Sequence, residues 1–425
     1  MMDLKKIESA YSDARNRYAQ FNVDTDEAIR KLDSIQLSLH CWQGDDVAGF
    51  EHPDSSLSGG GIEVTGNYPG RARTIAELRE DIEKVCSLLP GRQRLNLHAI
   101  YGDFGGKKVD RDQIGVEHFQ SWIHWGKERG IGLDFNPTCF SHPFAADGFT
   151  LSSKDRRRRE FWIEHVRRSR MIAAEMGRAM GNPSVNNIWI PDGSKDTPVD
   201  RFTHRALLKE ALDEIFRENF PKEHLIDSLE GKLFGIGSES MVVGSHEFYL
   251  GYAARNGKYV CVDTGHYHPT EEIGDKISSI LQFVDGIMLH VSRGVRWDSD
   301  HVVILNDQVR LLAEEIVRAK ALDRVRVGLD FFDASINRIG AYVVGARATQ
   351  TAFLCALLEP TEILRTYEEE GKYFERLALL EAMKAMPFGA VYDYYCAAQN
   401  VPAGAEYVAE VQKYEAEVLA GRGGM

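Results

Sequence analysis

Two short segments concentrate side chains that could hold and use a metal ion. In CVDTGHYHP, Asp263 ends an apolar run, His266 follows three residues later and His268 lies beyond it. In HVSRGVRWDSD, His290 lies in an apolar run and is followed by Asp298 and Asp300. A spacing of three points Asp263 and His266 differently, which suits two neighbouring ions rather than one. An Asp-x-Asp pair in extended chain faces one way, so Asp298 and Asp300 can reach the same ion. Glu239 adds a carboxylate after the glycine-rich stretch KLFGIGS. Such a mixed oxygen and nitrogen donor set favours Mn²⁺, Mg²⁺, Co²⁺ or Zn²⁺ over thiolate-bound metals. His268 precedes Pro269 and Thr270 and reads as a loop residue, with Thr270 capping the helix EEIGDKISSILQF.

These residues must be positioned by something, and the chain supplies a repeating frame. Eight short apolar runs recur, bounded by Gly, Pro, Asn or Asp: SIQLSLHCW (34–42), LNLHAIYG (95–102), GIGLDFNP (130–137), NNIWIPDG (186–193), KLFGIGSES (232–240), YVCVDTGH (259–266), GIMLHVSR (286–293) and VRVGLDFF (325–332). Several are apolar on both parities, as in parallel strands covered on both faces. Charge-rich amphipathic stretches separate them. TIAELREDIEKVCSLL opens on a capping box at Thr74 and Glu77, and Ser152 to Asp155 offers another before RRRREFWIEHVRRSRMIAAEMG. Eight such alternations predict a closed (β/α)8 barrel over 33–340, with a doubly wound open sheet as the alternative. Residues 1–32 and 341–425 read as helical extensions, the second including ARATQTAFLCALLEP and YFERLALLEAMKAM.

A barrel gathers its active site at the C-terminal strand ends. Those positions carry His40, His98, Asp134, Trp189 with Asp192, Glu239, Asp263 with His266, His290, and Asp330. Singly, such an Asp reads as a helix cap, a His as a core residue and Trp189 as packing. Collectively, convergent buried acids need cations, and the nearby basic residues Arg293, Arg296 and Lys195 are too few to neutralise them. The stretch LSGGGIEVTGNYPG (57–70) lacks a phosphate-loop pattern. It predicts instead a loop over the barrel mouth, with Val47, Phe50, Leu57 and Ile62 as an apolar lining.

Composition narrows the partners. Acidic residues outnumber basic ones, 64 to 51, for a formal charge of -13. That balance disfavours nucleic acid and anionic membranes but not a neutral sugar. The run Arg156 to Arg159 reads as a solvated helix face. Cys41, Cys86, Cys139, Cys261, Cys355 and Cys396 form no CxxC pair, and a chain this long needs no disulfide staples. With a polar, helix-like N-terminus and no long apolar span, the expected location is the cytoplasm.

The segments SLHCWQGDDV, LNLHAIYGDF, LDFNPTCFSHPFAADGFTLS, NIWIPDG, CVDTGHYHPTEEI, HVSRGVRWDSDHVV and GLDFFDASINRIGAYVVG together resemble the L-rhamnose isomerase family, from about residue 5 to 420. The resemblance implies a β/α barrel, two divalent ions per subunit (typically Mn²⁺), a homotetramer, and interconversion of L-rhamnose and L-rhamnulose. It implies Glu239, Asp263, His290 and Asp330 as ligands of a first ion. It implies His266, Asp298 and Asp300 as ligands of a second, catalytic ion, with Glu239 as a possible bridge. Asp330 is preferred over Asp333 because it ends the apolar run. His98 and Trp189 match sugar-site positions, and His40 and Trp42 are candidates for the same role. Related two-metal isomerases carry Glu-x-Lys, whereas Glu239-Ser240-Met241 places no lysine at that offset. That departure favours a 1,2-hydride shift over an enediol, with His98, Asp298 or Asp300 as the base if carbon is deprotonated. A metal-dependent hydrolase on the same barrel, such as an abasic-site endonuclease, is the rival reading, and a non-catalytic sugar-binding barrel is a third.

Overall fold

A computed structural model describes residues 4–51 and 64–422. The expected barrel forms. Its strands are β1 (Leu37–His40), β2 (Gln93–His98), β3 (Gly132–Asn136), β4 (Ser184–Ile188), β5 (Leu225–Glu230), β6 (Tyr259–Asp263), β7 (Ile287–Val291) and β8 (Val325–Leu329). All pair in parallel, and β8 closes on β1. Seven of these fall in the expected runs. The fifth does not: KLFGIGSES is loop, and the strand is LIDSLE, ending at Glu230.

Side-chain alternation explains how the interior is layered. Val185, Ile226, Cys261 and Met288 form a small apolar cluster separate from the main core. Two or four residues further along their strands, on the same face, stand Asp263, His290 and Glu230. Register places Asp263 beside His290 and His290 beside Gly328. A Cβ at Gly328 would lie 2.8 Å from the Met288 methyl, so glycine there makes room for the plug beneath the polar layer.

The helices follow the expected order, with shifted ends. Helix Ile75–Cys86 begins at the predicted Thr74 cap, whose hydroxyl accepts the Glu77 N–H. Helix Arg156–Met180 is capped by Asp155 rather than by Ser152. Helix Gly274–Ile280 starts after the Thr270 position expected to cap it. The N-terminal helix Leu4–Ala19 buries Ile7, Tyr11, Ala14 and Tyr18, and Tyr11 stacks on Tyr394 of helix Phe388–Ala398 at 3.9 Å. Helix Arg338–Leu357 follows β8 and runs straight through residue 340, so the expected boundary at 340/341 divides one continuous helix. Among the described residues no single helix is long and apolar enough to cross a membrane. Leu57 and Ile62 lie outside the described residues; of the other two residues expected to line the barrel mouth, Val47 does so, whereas Phe50 packs edge-on against Tyr101 at 5.6 Å instead.

Candidate active site

At the C-terminal end of the barrel, Glu230, Asp263, His290 and Asp330 offer donor atoms that all lie within 4.8 Å of one another. Glu230 is 3%, and Asp263 and His290 are each 2%, exposed to solvent. His290 Nδ1 stands 3.2 Å from Glu230 Oε2, 3.3 Å from Asp330 Oδ2 and 3.9 Å from Asp263 Oδ2. His266 Nδ1 stands 3.1 Å from Glu230 Oε1. Orienting contacts surround these groups. Trp42 Nε1 donates to Asp330 (3.0 Å), Ser292 Oγ and the Gly265 N–H donate to Asp263 (2.9 and 2.7 Å), and Asn187 donates to Glu230.

Glu239 does not belong to this group. It is exposed in the loop after β5, where its carboxylate accepts the Gly237 N–H at 3.2 Å. Glu230 takes the place expected of it. With the strand end moved to Glu230, the chain reads Glu230-Gly231-Lys232, so the lysine absent at the Glu239 offset is present after all. Lys232 lines the pocket and lies over the Trp189 ring at 5.6 Å.

The pocket is further lined by Trp42, Val47, His98, Asn136, Phe140, Trp189, His266, Asp300 and Phe332. His98 sits edge-on to Trp42 at 4.8 Å and to Phe140 at 5.6 Å, and burial pushes its imidazole down to about 3, leaving it neutral. His40 is not a lining residue. It is fully buried behind Trp42, against Phe331 and Tyr342. Val47 holds left-handed backbone (φ 58°), as does Asp46 (59°). Such a conformation is strained for a β-branched residue, and the Asp46–Arg338 ion pair at 2.6 Å holds the segment in place.

Asp298 and Asp300 share one strand of a two-stranded ribbon, Arg293–Val295 with Asp298–His301, but only Asp300 reaches the pocket. Asp300 lines the pocket, while Asp298 is exposed and lies 3.1 Å from His301 Nε2. His268 bonds to Thr270 in a surface turn. Two other acids of the expected ring, Asp134 and Asp192, are satisfied within the protein, and Asp134 is not at a strand end but in the middle of β3, two residues before Asn136. Asp134 takes Arg94, and Asp192 takes the hydroxyls and N–H groups of Thr150 and Ser152.

The other buried acids described are satisfied differently: Asp45 takes the Tyr101 hydroxyl and the Gly49 N–H, Asp192 the Thr150 and Ser152 donors, and four more are paired with arginines. Asp134, Asp227, Asp81 and Glu51 each have an arginine, namely Arg94, Arg170, Arg422 and Arg111. Glu230, Asp263 and Asp330 have only imidazoles as ion-pair partners, yet neither ring nitrogen of His290 makes a hydrogen bond of acceptable geometry. The donors face a shared point rather than each other. Burial raises Asp263 to about 7, with His266 pulling the other way. Burial alone would raise Glu230 too, but His290 and His266 hold it well below the usual carboxylate range. Hard carboxylate and imidazole donors without a countercharge fit a divalent cation. Cys261, one layer deeper, forms a second group with Glu230 and His290.

A family model described as L-rhamnose isomerase (RhaA) matches residues 5–422. The chain belongs to the L-rhamnose isomerase family. Family members cover it almost end to end. An L-rhamnose isomerase of Pectobacterium carotovorum is 56% identical over 418 residues, spanning 98% of this chain and 99% of that one. Those of Bacteroides thetaiotaomicron (56% over 416 residues, 98% and 99%) and Rhodopirellula baltica (55% over 416 residues, 98% and 97%) are similar throughout. An L-rhamnose isomerase family chain thus carries its pocket on the ends of β1 to β8 and on the loops that follow them.

Proposed function

We propose that this chain interconverts L-rhamnose and L-rhamnulose as a divalent-metal-dependent aldose–ketose isomerase. The observation that carries the reading is the full-length similarity to L-rhamnose isomerases, joined to a buried acid and imidazole cluster at the barrel mouth. We assign Glu230, Asp263, His290 and Asp330 to a first ion, and His266, Asp300 and Asp298 to a second. For Asp298 this requires its carboxylate to leave His301. Divalent ions held there would supply Lewis acidity toward the sugar's carbonyl and fix its oxygens in place. Mn²⁺ is the proposed metal, with Co²⁺, Zn²⁺ or Mg²⁺ as substitutes, because the donors are oxygen and imidazole.

The chain's own groups do the rest. The aromatic faces of Trp42, Phe140, Trp189 and Phe332 hold the open-chain sugar and keep water from it. His98 and the Lys232 ammonium bond its oxygens. Asp300 is the pocket carboxylate with no imidazole within ion-pair distance among the described residues, which leaves its charge for the second ion. With the pocket carboxylates given to the ions, Lys232 to the sugar oxygens and His98 a weak base, no side chain is assigned as a base at carbons 1 and 2, and hydrogen crosses between them as a hydride. In D₂O the products should therefore carry little deuterium at these carbons by NMR. Incorporation in each turnover would replace the hydride shift by an enediol route.

Chelator-stripped protein should lose L-rhamnose isomerisation and regain it with Mn²⁺. Full turnover by metal-free protein would refute the proposal. We also propose a cytoplasmic homotetramer. Helix Tyr373–Lys384 supports the assembly, since Tyr373, Phe374 and Leu377 stand 62%, 79% and 58% exposed on a helix that buries no residue of its own. Six free thiols suit a reducing compartment.

A further inference from the structure

We infer that His165 is a positioning residue for sugar binding, acting through Thr138 on His98. The inference rests on the reading above, in which His98 contacts an aldose. His165 is fully buried in helix Arg156–Met180, away from the metal cluster. Its Nε2 accepts the N–H of Thr138 at 2.9 Å, so the ring proton is on Nδ1, which donates to the Arg111 carbonyl at 2.9 Å. Burial pushes this imidazole down to about 3, so the neutral form with one donor and one acceptor is the one present.

Thr138 opens the loop after β3, and that loop is held from a second side. The Arg111 guanidinium donates to the carbonyls of Thr138 (2.6 Å) and Ser141 (3.2 Å), and also to that of Phe140. It is neutralised by Glu51 at 2.9 Å. With its main chain fixed, Thr138 brings Oγ1 to 3.1 Å from His98 Nδ1. His98 Nε2 is then the ring nitrogen without a hydrogen-bond partner among the described residues, and His98 lines the pocket. His165 is thus two hydrogen bonds from the ring that meets the sugar. Without it, the Thr138 N–H would lack its buried acceptor, and the hydroxyl would no longer be held against His98.

A double-mutant cycle tests this with L-rhamnose as substrate. Thr138→Val removes the hydroxyl, and His165→Leu removes the anchor. Each should raise KM about three- to tenfold, the worth of one hydrogen bond, with kcat and metal content nearly unchanged. The double variant should be no worse than the more affected single one, because both act on His98 by one route. His165→Gln, which can both accept from Thr138 and donate to Arg111, should restore KM. If His165→Leu does not fold, His165→Asn takes its place in the cycle. Multiplying KM effects, or a lowered melting temperature with KM unchanged, would overturn the inference. A wild-type chain inert toward L-rhamnose would overturn the proposed function and this inference with it.

Discussion

Glu230→Gln should abolish most L-rhamnose isomerisation, while Glu239→Gln should leave it unchanged. Glutamine keeps the shape of the side chain but removes the charge that faces His266 at 3.1 Å and His290 at 3.2 Å. It also puts an amide where the Asn187 amide already donates. Even outer contacts of a metal site cost about ten- to a hundredfold in affinity or activity, so loss of a charged group from the centre itself should cost about a hundredfold or more. Glu239 has solvent around it and one backbone contact, and nothing in the pocket depends on it. Turnover and bound metal, measured on both purified variants, decide the assignment. Equal activity in the two, or a larger loss from Glu239→Gln, would return the glutamate ligand to the loop after β5.

The misplaced glutamate shows where sequence reasoning met its limit. Strand β5 reads LIDSLE, and its polar residues hid it beside the more apolar KLFGIG. Asp227 spoils the expected pattern because it lies against helix Arg156–Met180, where Arg170 grips it through two hydrogen bonds of 2.9 Å and Lys258 adds a third at 3.0 Å. A buried ion pair between sheet and helix looks, in sequence, like a break in a hydrophobic face. Arg170, set among Val166, Ile172 and Ala173, was the available signal. Glu-x-Lys at residues 230–232 was another.

Elsewhere the pattern sufficed. Asp263, His290 and Asp330 are polar residues in or at the end of otherwise apolar runs, and the structure brings those three together. His40 ends such a run too, but the following turn, Cys41–Gln43, carries Trp42 across it toward Asp330. Nothing at the level of residue type separates a pocket histidine from one a single side chain behind it. Asp298 and Asp300 show a related limit. Alternation predicts a shared side, but on a ribbon outside the barrel Asp298 finds His301 instead.

Arg94→Met should destabilise the fold by about 3–5 kcal/mol, the usual result of leaving one member of a buried ion pair without the other. Arg94 meets Asp134 through two bonds of 2.8 Å and also donates to the carbonyls of Leu133 and Pro183 at 2.9 and 3.0 Å. Asp134 additionally takes Ser38 Oγ and the Val185 N–H. The pair thereby joins β1, β2, β3 and β4 inside the barrel. Burial alone would raise the Asp134 carboxyl, but Arg94 holds it below its ordinary value. A carboxyl depressed in the folded state stabilises above its unfolded pKa, and that contribution is lost as pH falls through the folded value. Methionine at 94 reverses the sign, because a lone buried carboxyl is raised and its ionisation opposes folding. The gap between wild type and Arg94→Met should therefore be widest at neutral pH and narrow as pH drops below about 4, where Asp134 is protonated in the unfolded chain. The companion Arg94→Met/Asp134→Leu should recover much of the loss, since no buried charge remains. Urea unfolding at several pH values gives the comparison. A pH-independent gap, or a double variant as unstable as the single one, would show that Arg94 acts through packing rather than through its charge.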